Sequence, residues 1–86
     1  LKGAADATVE GLTKLGADIP YRVGEVVAIG QAGVQTVLVE MTPSRPGLDV
    51  RHGAADGSSI EEAAARATLH ALNRWLAGPA GLHSEG

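Results

Sequence analysis

The spacing of apolar side chains divides the chain into five segments. Between residues 4 and 15, Ala5, Val9 and Leu12, followed by Leu15 or Gly16, recur at helical spacing, with Asp6 early and Lys14 late, where the helix dipole favours them. Gly16 stands where a helix C-cap belongs, so the pattern predicts a short amphipathic helix, weakened by Gly11. After a connector at 17–20, YRVGEVVAI predicts a strand with Tyr21, Val23, Val27 and Ile29 on one face. Glu25 interrupts that face and marks it as partly buried or near an edge. Residues 30–33 read as a hairpin loop, and VQTVLVEM, residues 34–41, is rich enough in β-branched side chains for a second strand. The prolines of TPSRPG, 42–47, cannot donate to a ladder, so this stretch is expected to be an exposed connection. LDVRHGA then predicts a third strand, with Leu48, Val50 and His52 alternating against Asp49 and Arg51.

A second helix is expected from about Ile60 to Leu76. Ser58 with Glu61, or Ser59 with Glu62, offers the reciprocal bonds of a capping box, and Gly78 and Pro79 end the helix. The pattern predicts an α+β fold: a single αβββα unit, with a three-stranded antiparallel sheet packed by helices on one face, over residues 1–77. Residues 78–86 are expected to form a flexible C-terminal tail. On a helical wheel the polar side chains Glu62, Asn73, Arg66, His70 and Arg74 fill an arc of roughly 120°. The opposite arc divides into a bulky stripe of Ala65, Leu69, Leu72 and Leu76 and a small-residue stripe of Ile60, Ala64, Ala67 and Ala71, with Trp75 between them. One sheet face is expected to cover the bulky stripe. The second stripe, Ile60, Ala64, Ala67, Ala71 and Trp75, then needs another cover, either a second subunit or the first helix of the same chain.

Composition sharpens this need. A chain of 86 residues with Tyr21 and Trp75 as its aromatics builds a thin core and buries about 60–65% of its unfolded surface. Seven basic against ten acidic residues, a net charge of −3 and no basic run argue against a phosphate-binding surface. No cysteine is present, and His52, His70 and His83 lie too far apart in sequence to suggest a metal-ligand cluster, so neither metal nor cofactor is expected. The absence of a bilayer-length apolar run and of a signal-peptide pattern suggests a cytoplasmic protein without a membrane contact. His52 near Ser58 or Asp56 lacks the third, orienting group that nucleophilic catalysis needs, so no catalytic residue is expected.

The element order also fits double-stranded-RNA-binding domains, which the chain resembles in outline. That family grips phosphates with lysines at the start of its last helix; the corresponding stretch here is SSIEEAAAR, where Glu61 and Glu62 repel a phosphate backbone. The chain more closely resembles the C-terminal regulatory domain of α-isopropylmalate and citramalate synthases. That family has a small-residue loop G-x-G-A-D followed by a helix I-x-x-A-S-x-R-A-x-x-x-A-L-N-R, and this chain reads HGAADGSSIEEAAARATLHALNR. With one extra loop residue, Gly53, Ala55, Asp56, Ile60, Ala64, Arg66, Ala67, Ala71, Leu72, Asn73 and Arg74 correspond. KGAADATVEGLTKL and YRVGEVVAIGQAGVQTVLVEM are similar to the family's preceding helix and first two strands. The chain departs from the family in having one unit where the regulatory domain holds two, in lacking the catalytic barrel, and in placing alanine at the loop's second glycine and at the serine of the A-S pair.

The resemblance implies a non-catalytic regulatory or dimerisation module, a homodimer or a subunit of a parent enzyme, with a small amino acid held at a subunit interface. Ala55, Asp56, Gly57, Ser58 and Ser59 are then the candidate ligand contacts: free N–H groups at a helix start attract a carboxylate, and Asp56 offers a partner to an ammonium group. The competing readings are a pure assembly module without a ligand and a degenerate RNA-binding-like domain. In the plainest reading of the loop, Asp56 and Gly57 make a turn and Ser58 caps the helix.

Overall fold

The computed structural model describes residues 2–77; the expected tail at 78–86 lies outside them. Helix α1 (Lys2–Lys14), strands β1 (Tyr21–Gln31), β2 (Val34–Pro43) and β3 (Arg51–Gly57), and helix α2 (Ile60–Ala77) follow in the expected order. The strands form one antiparallel sheet in the order β1-β2-β3. Both helices pack on the same face, α2 over β3 and β2 and α1 beside α2 near β1. The buried side chains of Tyr21, Val23, Val37, Val39 and Met41 meet Ala5 and the α2 residues Ala63, Ala64, Ala67, Ala71 and Leu72 there.

Helix α1 ends as its sequence demands. Gly16 takes φ 99°, the Ala17 N–H donates to the Leu12 carbonyl and the Gly16 N–H to that of Thr13, together a Schellman cap. Strands β1 and β2 join through Ala32 and Gly33, both left-handed at φ 54° and 80°, the signature of a two-residue hairpin matched to strand twist.

Three sequence expectations are corrected. The first concerns β1. Its register on β2 shifts between Val23 and Val26, so Gly24 and Glu25 together stand opposite Glu40. The extra residue reverses the alternation: Tyr21 and Val23 face the helices, but past the bulge Val26 and Ala28 do, while Val27 and Ile29 turn to the other face, 43% and 49% exposed. Gly24 leaves room here for the side chains across the strand, since a Cβ would lie 2.6 Å from Glu40 Oε1 and 2.7 Å from Thr42 Oγ1 and both would have to turn aside.

The second correction moves β3 three residues on. Leu48 and Val50 precede the strand, and the expected loop residues Ala55, Asp56 and Gly57 pair instead with Val37, Thr36 and Gln35. Gly53 and Ala55 face α2, whereas His52, Ala54 and Asp56 face away.

The third concerns α2. The small-residue stripe is the surface that meets the sheet: Ala63, Ala64 and Ala67 are fully buried and Ala71 nearly so. A methyl at Gly53 would overlap the Ala67 carbonyl oxygen and lie 2.5 Å from the Ala71 nitrogen, so helix and strand backbones touch where both sequences are small. Ala64, Ala67 and Ala71 are therefore consumed inside the chain and unavailable to a second subunit. Ile60 and Trp75 are partly buried against the same core. The bulky stripe is divided, Leu72 buried and Leu69 41% exposed, because the buried arc is centred on the alanines. Thr68 joins this core with its hydroxyl donating to the Ala64 carbonyl at 2.8 Å, which removes the cost of burying it.

Trp75 is tied down locally. Its indole N–H donates to the Asp18 carbonyl at 2.6 Å, its ring meets Tyr21 edge-on at 6.2 Å, and the Tyr21 hydroxyl donates to the Asp49 carbonyl at 3.0 Å. Two aromatics thus clamp the end of α2 to both flanking loops.

Candidate functional site

The start of α2 was the expected ligand site. Ser59 caps the helix: its hydroxyl accepts the Glu62 N–H at 3.1 Å, and its carbonyl accepts the Ala63 N–H at 3.0 Å. Glu62 reaches back, one residue further than the usual box, and its carboxylate accepts from the Ser58 N–H at 2.8 Å and the Ser58 hydroxyl at 2.9 Å. Arg66 sits 3.1 Å from the other Glu62 oxygen, the expected i,i+4 pair. These contacts, the Ser58 N–H first, then its hydroxyl, then Arg66, hold the Glu62 carboxyl below the ordinary glutamate value. The carboxylate at this helix start is the chain's own.

The five candidate contacts do not converge. Ala55 and Gly57 point toward α2, with Gly57 so close that a Cβ would lie 2.8 Å from the Ala63 nitrogen. Asp56 points the other way, where its carboxylate accepts the Thr36 hydroxyl at 2.6 Å. Ser58 and Ser59 serve the cap. Strand pleating, which sends neighbours to opposite faces, separates the residues that a loop would have gathered.

What remains open is the sheet face opposite the helices. The strand register sets its side chains in three cross-strand rows: Glu25, Glu40 and His52; Val27, Leu38 and Ala54; Ile29, Thr36 and Asp56. Four aliphatic side chains, Val27, Ile29, Val34 and Leu38, are 43–49% exposed here, a contiguous apolar surface in a domain with little apolar area to spare. One half of the face forms an open hollow of about 440 Å³ lined by Glu25, Val27, Leu38, Glu40, His52 and His70. His52 lies 3.7 Å from Glu40, and among the described residues no cation pairs with Glu25. At the outer edge of β3, His70 Nδ1 lies 3.1 Å from both the Ala54 nitrogen and its carbonyl oxygen, so α2 closes that strand edge. Among the described residues, no three His, Asp or Glu side chains are placed to hold a metal ion, and no helix is long and apolar enough to cross a membrane.

Sequence reasoning missed this face because it set Val27 and Ile29 on the same side of the strand as Tyr21 and Val23. The signal was present as Gly24 inside a strand run followed by two adjacent valines, either of which fits the alternation. No family model matches the chain, and no curated protein or solved structure matches it.

Proposed function

We propose that this domain is a non-catalytic assembly module that joins its chain, or the enzyme it serves in the cytoplasm, to another polypeptide through the uncovered face of its sheet. The observation that carries the reading is the row of Val27, Ile29, Val34 and Leu38, exposed together on the side the helices leave bare. A two-layer domain of this size gains stability by drying such a surface, at roughly 25 cal/mol per Å² of apolar area removed from water. The resemblance to the regulatory domain of α-isopropylmalate synthases supports an assembly role, now placed on the sheet and not on the α2 alanines. An amino-acid ligand at the α2 start is a weaker reading, since the Glu62 carboxylate already sits there on the Ser58 N–H and hydroxyl, and its charge, with that of Glu61 beside it, repels a second carboxylate.

Sedimentation velocity on the full chain, alone and with a 12-residue amphipathic peptide of leucine with uncharged serine and glutamine, tests this reading. Self-association or peptide binding that Leu38→Asp removes, with the urea midpoint unchanged, supports it. A chain that associates neither with itself nor with an amphipathic peptide of any charge, or an association indifferent to Leu38→Asp, refutes it.

A further inference from the structure

We infer that the occupant of the uncovered face is a cationic amphipathic helix of another polypeptide. The inference rests on the assembly reading and adds the chemistry of the partner. Two features of the face select it.

The first is charge. Carboxylates border the Val27, Leu38 and Ala54 row on both sides: Glu25 and Glu40 stand in the row before it, and Asp56 in the row after it, beside Thr36 and across from Ile29. Among the described strand residues of this face, Arg22 is the cation set against those three. Glu40 has the exposed His52 as a neighbour at 3.7 Å, a pairing only when the imidazole is protonated, and Glu25 makes no ion pair among the described residues. A partner with aliphatic side chains toward the floor and Lys or Arg at its margins satisfies both kinds of group, the long stems lying along Val27 and Leu38 while the heads reach the carboxylates. A second copy of this chain is a poorer fit. It brings a net charge of −3 and the same three carboxylates against their equivalents.

The second feature is width. Two interstrand spacings separate β1 from β3, about 10 Å, which is about the diameter of one helix with its side chains. A single helix laid on this face covers all three strands and completes a three-layer arrangement of helix, sheet and helix. The chain's own described helices are both committed to the opposite face.

The probes are three 12-residue helical peptides with one leucine pattern, whose polar positions are lysine, serine with glutamine, or glutamate. Each is labelled and titrated with the full chain at low salt by fluorescence anisotropy. The lysine peptide is expected to bind about tenfold more tightly than the uncharged one, the sum of two or three exposed ion pairs, and the gap is expected to close in high salt. Glu25→Lys with Glu40→Lys should reverse the order between lysine and glutamate peptides. The milder pair Glu25→Gln with Glu40→Gln should erase the preference, which keeps the test intact should the reversal variant fail to fold. Equal binding of all three peptides, lost in Leu38→Asp, overturns the charge inference and leaves the assembly reading standing. Self-association that Leu38→Asp abolishes, with no peptide bound, makes the occupant a second copy and likewise overturns it. No association of any kind removes both.

Discussion

Gly53→Ala is the most severe small change the fold admits. The added methyl would overlap the Ala67 carbonyl oxygen and stand 2.5 Å from the Ala71 nitrogen and 2.9 Å from the Ala71 Cα, where ordinary contact begins near 3.4 Å. All three obstacles are helix backbone, so no rotamer change relieves them, and α2 must lift from β3 by on the order of 1 Å. A gap of that size forfeits a quarter to a half of each dispersion contact across it, and it opens beneath Ala63, Ala64, Ala67, Thr68, Ala71 and Leu72, all buried. Overpacking of this kind costs about 1–3 kcal/mol, and the rigid backbone places this case at about 3; the lower unfolded-state entropy of alanine returns at most about 1 kcal/mol. The net loss of about 2–3 kcal/mol is a large share of the roughly 4–13 kcal/mol expected for a chain of this length. Urea unfolding followed by the fluorescence of Trp75, the single tryptophan, measures it. With a slope of about 1 kcal/mol/M the midpoint should fall by about 2–3 M. Gly57→Ala meets the Ala63 nitrogen at 2.8 Å and the Ala63 Cα at 3.2 Å and should fall between Gly53→Ala and wild type. Gly11→Ala, in a helix with nothing within 4 Å, should gain about 0.5–1 kcal/mol. A Gly53→Ala midpoint within error of wild type would show that α2 does not rest on β3 through its alanines, and the reasoning would fail.

Further outcomes follow from local geometry. Ala32 holds φ 54° in the hairpin, a conformation that costs an alanine about 1–2 kcal/mol; Ala32→Asn should raise stability by about 0.5–1 kcal/mol, and an unchanged urea midpoint would contradict the turn assignment. Glu62 is held below its ordinary value of 4.5, so its stabilising contribution is complete above that value and lost as pH falls toward its folded value. The urea midpoints of wild type and Glu62→Gln should therefore differ at pH 7 and draw together as pH falls below the ordinary value; a constant difference would show that the carboxylate charge is not what Ser58 recognises. Trp75→Phe keeps the ring beside Tyr21 but loses the bond to the Asp18 carbonyl, and thermal unfolding should record a loss of about 1 kcal/mol; no loss would mean that the bond is not maintained in solution.

The order of elements was legible in the sequence because its signals are local: Gly16 ends α1, Gly33 closes the hairpin turn, and Ser59 with Glu62 opens α2. The facing of those elements was not. In β1 the decision hangs on one extra residue, and Val26 beside Val27 satisfies either phase, so only pairing with Glu40 reveals the bulge. In α2 the bulky stripe was expected to meet the sheet and the alanines a second cover, yet the alanines are what a strand bearing glycine at 53 and 57 requires, a complementarity between segments some ten residues apart that neither shows alone. The candidate ligand residues were misplaced for a related reason. Their small side chains resembled a loop, while Ala55 and Gly57 are strand residues facing α2, Asp56 turns to the other face, and Ser58 and Ser59 serve the cap.

The central claim is that the bulge at Gly24 and Glu25 turns Val27 and Ile29 out of the core to form, with Leu38, a bare apolar face. The chain contains no cysteine, so single cysteines report on it directly. At low micromolar concentration without a partner, Val27→Cys, Ile29→Cys and Leu38→Cys should react with a charged disulfide reagent within about tenfold of the unfolded chain. Val37→Cys, fully buried, should react at least about a hundredfold more slowly, limited by opening of the fold, and the partly buried Ala28→Cys more slowly than its neighbours at 27 and 29. Protection at 27 and 29 with ready labelling at 28 would mean an unbroken strand, a covered face and no surface for a partner.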